Sequence, residues 1–182
     1  MEFLTKDEFI KIEESNKYYH GRWPYFQAVI DILKEENFKK VLELGAYKTA
    51  VVKGSDTMSI DKPVNYVSEN PDPNFRGNST YFHDATKNPW PIKSCKYDLF
   101  IALQVWEHLE DKQKEAFREV MRISKAAILS FPFKWYCPGD CHHNITENRI
   151  KKWTLGIKPV EIKQSGSRII YFFKFKNGLE NI

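Results

Sequence analysis

The chain has 182 residues, of which 42% are hydrophobic, and this size fits one domain rather than two. Its formal net charge is +4, but basic and acidic residues are interspersed along the whole sequence, which argues against a nucleic-acid-binding tract. No apolar run approaches the roughly 20 residues of a membrane-spanning helix, and residues 1–20 lack the apolar core of a signal peptide or an anchor. The three cysteines are too few for a disulfide scaffold, so the chain is predicted to be cytoplasmic.

The first half of the chain predicts a helix followed by three short strands. From Trp23 to Asn37 the apolar residues recur at three- and four-residue spacing, which indicates an amphipathic helix. We expect residues 1–37 to be a helical segment that can form a lid on a core at 38–182. Strands are predicted at 40–44, 57–61 and 79–83. The segments between them are short or irregular, so we expect shortened crossovers after the first and second strands.

The second half of the chain predicts elements that complete a single α/β domain. Residues 97–103 form a continuous apolar run, which is typical of a central parallel strand covered on both faces. The later elements are a helix from about Glu110, a strand at 126–131, a helix at 147–153 capped by Thr146, and a hairpin at 159–164 and 168–175. The predicted fold is a Rossmann-like, doubly wound, mostly parallel sheet that ends in an antiparallel hairpin.

Small and polar residues follow the predicted strands at their carboxyl ends, where open parallel sheets bind ligands. Gly45 follows the first strand, and its lack of a side chain lets a ligand approach the backbone closely. Asp61 ends the second strand, where a carboxylate can accept hydrogen bonds from both hydroxyls of a ribose. Asp84 follows the third strand, and Gln104 follows the fourth as the first residue of the segment QVWEHL.

Over roughly residues 41–175 the sequence resembles the class I S-adenosylmethionine-dependent methyltransferases. In that family the first strand ends in an acidic-x-Gly-x-Gly loop and a segment like QVWEHL follows the fourth strand; here Tyr47 replaces the second glycine. The resemblance implies that S-adenosylmethionine is the cofactor. The contacts that it implies are Glu43, Gly45 and Ala46 around the methionine part, Asp61 at the ribose, Asp84 and Ala85 at the adenine, and Gln104 and Val105 beneath the sulfonium.

Four further residues are candidates for contacts with the reactants. Arg22 lies in the aromatic segment 18–23 and is predicted to pair with the methionine carboxylate while the aromatic rings cover the sulfonium. His108, His142 and His143 are predicted general bases, because an ordinary histidine pKa of about 6.5 suits removal of a proton from a hydroxyl. The predicted reaction is methylation of a small-molecule or saccharide-type acceptor, on oxygen, and nucleic acid is the less favoured partner.

Two metal hypotheses arise from the same residues. Some RNA 2′-O-methyltransferases carry a Glu-x-x-Glu-His segment after the fourth strand and a later histidine, which bind a divalent ion together. Here the segment reads Gln104-x-x-Glu107-His108 and is followed by His142 and His143, and the loss of the first carboxylate weakens affinity for a hard cation. Cys137 and Cys141 have a CxxxC spacing but lack two further ligands at the matched spacing of a zinc finger. We therefore assign no metal ligand from the sequence and keep the metal-assisted RNA enzyme as an alternative.

Two other classes of protein share parts of this pattern. A nicotinamide-dependent oxidoreductase needs Gly-x-Gly-x-x-Gly after the first strand, but residues 45–50 read GAYKTA. A non-catalytic binding or scaffold protein of the same fold is favoured by Tyr47 and by the short crossovers. The acidic residues Glu43, Asp61 and Asp84 oppose that alternative, because they suit a bound cofactor.

Overall fold

The computed structural model describes residues 1–46, 49–60 and 80–175. Within them, seven strands form one sheet. The strands are β1 Val41–Leu44, β2 Asp56–Ile60, β3 Tyr81–His83, β4 Tyr97–Leu103, β5 Ser124–Pro132, β6 Glu161–Ser165 and β7 Arg168–Lys174. Their order across the sheet is β3-β2-β1-β4-β5-β7-β6. The order reverses between β1 and β4, and this switch point is where an open α/β sheet forms a ligand-binding crevice.

The strand directions confirm the predicted fold class. β1 pairs in parallel with β2 and β4, β2 pairs in parallel with β3, and β4 pairs in parallel with β5. β7 runs antiparallel to β5 and to β6, so the sheet ends in the predicted antiparallel hairpin.

Helices cover both faces of the sheet. They are α1 Lys6–Ser15, α2 Trp23–Lys34, α3 Gln113–Ile123 and α4 Glu147–Trp153, with short 3₁₀ helices at Lys17–Tyr19 and Trp106–His108. The first two helices pack on one face, where Leu99 and Ile101 of β4 point, and the last two pack on the other, where Phe100 and Ala102 point. Because successive residues of a strand face opposite sides, both sets of β4 side chains must be apolar, as the continuous apolar run predicts.

Three helix boundaries differ from the sequence prediction. The segment before residue 23 contains a separate helix, α1, which begins with a capping box in which Thr5 and Glu8 bond each other's backbone N–H groups. The predicted helix at 23–37 ends earlier, at Lys34. The helix expected from about Glu110 begins at Gln113, because Glu110 and Asp111 have φ angles of +48° and +64° and cannot belong to a right-handed helix.

The connection between β1 and β2 confirms the first shortened crossover. The described residues of this connection, 45–46 and 49–55, contain no α-helix. Residues before the first helix lie against it: Phe3 forms an isolated antiparallel bridge with Val52, and the Leu4 N–H donates to the Val51 carbonyl at 3.0 Å. The second crossover falls within 61–79, outside the described residues. No helix in the described ranges has the length and apolar character needed to cross a bilayer.

Candidate functional site

A cleft lies at the carboxyl ends of β1 and β4, where the strand order reverses. It encloses about 440 Å³ of empty space, including the part open to solvent. Its walls include Tyr18, Arg22, Tyr25, Gly45, Ala46 and Gln104. The N-terminal segment, the turn after β1 and the turn after β4 therefore meet at one place. Five residues predicted to contact the cofactor line this cleft, namely Arg22, Glu43, Gly45, Ala46 and Gln104.

Glu43 holds the connection after β1 in place from inside the protein. Its side chain is buried, and its two carboxylate oxygens accept hydrogen bonds from the backbone N–H groups of Val51 at 2.9 Å and Val52 at 2.8 Å. The hydroxyl of Ser55 donates to one of the same oxygens at 3.2 Å. Burial raises the pKa of Glu43 from 4.5 to about 7, and these three hydrogen bonds offset only part of the cost. Both carboxylate oxygens are therefore already occupied by hydrogen bonds from the loop.

The turn after β1 depends on a glycine. Gly45 has a φ of +68°, in the left-handed region that favours glycine, and its N–H donates to the Met58 carbonyl at 2.9 Å. With no side chain at this position, the backbone itself forms the cleft wall. Two residues named in the sequence analysis lie outside the described residues: Asp61, the predicted ribose contact, and Tyr47, which stands where the family has its second glycine.

The turn after β4 is held by a hydrogen-bonded group that the sequence analysis did not identify. Gln104 has a φ of +58°, and its N–H donates to Ser130 Oγ at 3.1 Å. The same Ser130 hydroxyl bonds the hydroxyl of Tyr25, which is buried on α2. This fixes the backbone of Gln104, while the side-chain Nε2 is buried and has no hydrogen-bond partner among the described residues. A buried amide donor without a partner suits a site whose ligand supplies the acceptor.

Cationic and aromatic side chains lie in and near the cleft wall. The guanidinium of Arg22 stacks on the Tyr18 ring, 3.6 Å from its centroid. Arg168, at the start of β7, lies 5.6 Å from the centroid of the Tyr25 ring. Burial and the nearby charge of Arg22 lower the pKa of Arg168. The charge of Arg22 is therefore felt at Arg168, and this mutual repulsion favours an anionic group near them.

Three other predicted cofactor contacts lie apart from these cleft walls among the described residues. Asp84 Oδ1 accepts hydrogen bonds from the Thr86 N–H at 2.9 Å and the Thr86 hydroxyl at 2.7 Å, and so closes the turn after β3. Ala85 and Val105 are buried in the core on the α3 face of the sheet. For these residues, a cofactor contact remains a prediction.

A second group of polar residues lies around the 3₁₀ helix that follows Gln104. His108, in the 3₁₀ helix after Gln104, places Nδ1 3.4 Å from Cys141 Sγ, and the Nδ1 atom of His142 lies 3.4 Å from the same sulfur. The two imidazole rings meet edge to face with centroids 5.1 Å apart. Burial, and secondarily the neighbouring His142, lower the pKa of His108, so that its ring is neutral at pH 7. The structure thus brings together two of the three predicted bases.

A buried carboxylate lies behind this group. The Glu107 side chain is fully buried, and Oε1 is 3.5 Å from His142 Nε2. Burial raises the pKa of Glu107 from 4.5 to about 8. On the other side of the ring, the Asp140 carboxylate contacts His142 Nδ1. Sequence reasoning missed the burial of Glu107, because nothing in QVWEHL distinguishes an inward carboxylate from a solvated one.

The third predicted base, His143, points elsewhere. Its Nδ1 atom accepts a hydrogen bond from the Cys137 N–H at 3.0 Å, and its ring contacts the exposed ring of Tyr136 with centroids 5.1 Å apart. An imidazole that accepts at Nδ1 carries its proton on Nε2 when neutral, so neither nitrogen offers a free lone pair. The local role of His143 is to fix the loop.

Comparison with known proteins supports the fold. A SAM-dependent methyltransferase from Aquifex aeolicus is 16% identical with a TM-score of 0.57, and the match covers 93% of this chain and 97% of that one. For a SAM-dependent methyltransferase from Thermotoga maritima, described as a possible histamine N-methyltransferase, the identity is 10%, the TM-score 0.61 and the coverage 92% and 98%. An rRNA methylase from Escherichia coli is 16% identical with a TM-score of 0.55, and the match covers 88% of this chain and 68% of that one. No protein-family model and no curated protein sequence matches the chain. The chain has the fold of the class I S-adenosylmethionine-dependent methyltransferases.

Proposed function

We propose that this protein is a methyltransferase that transfers the methyl group of S-adenosylmethionine to a hydroxyl of a small-molecule or saccharide-type acceptor. The observation that carries the proposal is the composition of the cleft at the sheet's switch point. Gly45 and Gln104 line the same cleft, and the buried side-chain amide of Gln104 has no hydrogen-bond partner among the described residues; the stacked side chains of Arg22 and Tyr18 line it as well. These features fit an extended ligand that carries an anion, a cation and hydrogen-bond acceptors.

The cleft residues fit the parts of S-adenosylmethionine. Arg22 would pair with the methionine carboxylate, and the aromatic rings of Tyr18 and Tyr25 would face the sulfonium, whose positive charge is attracted to ring faces. The Gln104 amide would donate to an oxygen of the cofactor. Glu43 would act indirectly by fixing the loop, since both of its oxygens are already hydrogen-bonded. Asp61 remains the proposed ribose ligand, and Asp84, Ala85 and Val105 remain proposed contacts near the adenine and the pocket floor.

For methyl transfer the protein mainly has to align the methyl donor with the acceptor and exclude water from the site. The acceptor oxygen forms a bond to the methyl carbon, the carbon–sulfur bond breaks, and the electron pair stays on sulfur in S-adenosylhomocysteine. The hydroxyl must also lose its proton. We assign this step to the group that contains His108 and His142, because His108 follows Gln104 of the cleft wall by four residues. The lowered pKa of His108 favours its neutral ring, which is the form that can accept the proton of the acceptor hydroxyl.

A transfer assay tests the acceptor class. With radiolabelled S-adenosylmethionine, we expect label to enter small polyhydroxylated compounds rather than RNA. We expect His108→Ala to lower kcat by about 100-fold or more, as loss of a proton acceptor does, without changing the affinity for S-adenosylhomocysteine. His83→Ala is the control, because that ring bonds the Lys87 carbonyl beyond β3. Transfer to RNA alone would contradict the small acceptor and support the RNA alternative, to which the exposed rings of Trp135 and Tyr136 would offer stacking surfaces.

A further inference from the structure

Three side chains of metal-ligand type converge at the 3₁₀ helix that follows Gln104. Cys141 Sγ lies 3.4 Å from Nδ1 of His108 and 3.4 Å from Nδ1 of His142. One ligand atom from each residue lies within 4.8 Å of the others. In a tetrahedral zinc site with bonds of about 2.0 to 2.3 Å, the ligand atoms are about 3.3 to 3.8 Å apart. Both separations from the sulfur already fall in that range, so these residues lie close to the geometry that such an ion requires.

The buried Glu107 carboxylate is an independent sign of a ligand. Its side chain is fully buried, and neither oxygen has a hydrogen-bond partner on another described residue. Oε1 lies 3.5 Å from Nε2 of His142, the ring nitrogen opposite the one beside Cys141. In metal sites, a carboxylate commonly accepts from the far nitrogen of a ligating histidine and so fixes the ring and its tautomer. Glu107 is placed for that role if Nδ1 of His142 binds the ion.

We propose that His108, Cys141 and His142 bind one divalent transition-metal ion of the Zn²⁺ class, with Glu107 supporting His142 from behind. Two imidazoles and a thiolate select such an ion and disfavour Mg²⁺ and Ca²⁺, which prefer oxygen ligands. Gln104 takes no part, because it lines the cleft. The site therefore keeps His108 and His142 from the hard-cation site considered for the sequence, but it takes the Cys141 thiolate in place of carboxylate ligands and so selects a different metal.

The surroundings leave the fourth coordination position accessible. Cys141 is exposed, and the neighbouring Asp140 side chain is also partly exposed. Without an ion, the Asp140 carboxylate holds Nδ1 of His142, so metal binding must replace that contact. A site with three protein ligands and one open position is typical of catalytic rather than structural zinc. If the proposed methyl transfer is correct, on which this role rests, His108 and His142 act on the acceptor hydroxyl through the ion.

Cobalt spectroscopy tests the site without any assay of activity. Protein stripped with EDTA and kept reduced is titrated with Co²⁺. We expect one equivalent to give the intense visible bands of tetrahedral Co²⁺ and a near-ultraviolet thiolate-to-cobalt band. Cys141→Ser should abolish the thiolate band, and Cys137→Ser, in the same loop, should leave it unchanged. Glu107→Gln should weaken Co²⁺ binding about 10- to 100-fold, as expected when the partner of a ligating histidine is lost.

The outcomes separate this proposal from the proposed function. Absence of the thiolate band in folded wild-type protein, or its persistence in Cys141→Ser, would overturn the metal site. Titration with S-adenosylhomocysteine in EDTA reports on the cofactor cleft alone. Cofactor binding without Co²⁺ binding would refute only the metal site, and Co²⁺ binding without cofactor binding would refute only the methyltransferase.

Discussion

Replacing Glu43 with glutamine should remove a pH dependence from the stability of the fold. The folded-state pKa of Glu43 is raised to about 7 from 4.5, so between these values the folded protein holds a proton that the unfolded chain has lost. The contribution of Glu43 to stability is therefore full below about pH 4.5 and is lost as the pH rises to 7. A shift of this size corresponds to roughly 3 kcal/mol.

The measurement is urea unfolding of the wild type and of Glu43→Gln at several pH values in EDTA. We expect the wild type to be more stable than the variant at pH 4.5, and the difference to shrink as the pH approaches 8. Glu107 has the same sign of shift, but it is present in both proteins and cancels in the difference. A difference that is constant or grows with pH would mean that the bonds from Val51 and Val52 outweigh the cost of burying the charge.

Replacing Gly45 with valine should nearly abolish cofactor binding. A side chain at this position occupies the cleft wall that the backbone now forms, and a φ of +68° strains any residue with a Cβ by about 1 to 2 kcal/mol. We expect the Kd for S-adenosylhomocysteine, measured by calorimetry, to rise about 100-fold, and about tenfold for the milder Gly45→Ala.

Gly54→Val separates the effect on the cleft from the backbone strain. Gly54 has a similar φ of +71°, and a Cβ added there meets nothing within 4 Å. We expect this control to lose a similar amount of stability and to bind the cofactor normally. Equal losses of affinity in both glycine variants would show that the Gly45 effect arises from destabilisation and not from the cleft.

The features that the sequence predicted well are those that depend on neighbouring residues. The continuous apolar run at 97–103 indicates a strand covered on both faces, and the position of Gln104 directly after it follows from where that strand ends. The polar residues placed at strand ends could be expected near one edge, because the ends of parallel strands meet there. The Thr5-x-x-Glu8 capping box was also readable, although the weakly apolar α1 was not predicted as a separate helix.

The features that the sequence could not provide depend on contacts between distant residues. Tyr25 and Ser130 are 105 positions apart, and their hydrogen bond fixes the Gln104 turn. Likewise, Cys141 and His142 reach His108 only because the loop after β5 folds back over the 3₁₀ helix. Periodicity and local spacing carry no information about such contacts, so they could not show that Cys141 contacts His108 and His142 or that Glu107 is buried beside them.

The most direct test of the proposed function is calorimetric titration of the purified protein with S-adenosylmethionine and S-adenosylhomocysteine, beside Asp61→Ala. We predict micromolar binding of both ligands by the wild type. The substitution should weaken binding about tenfold, which corresponds to about 1.4 kcal/mol for the proposed ribose contact. Absence of binding by the folded wild-type protein would contradict the methyltransferase proposal and leave the fold to a non-catalytic scaffold.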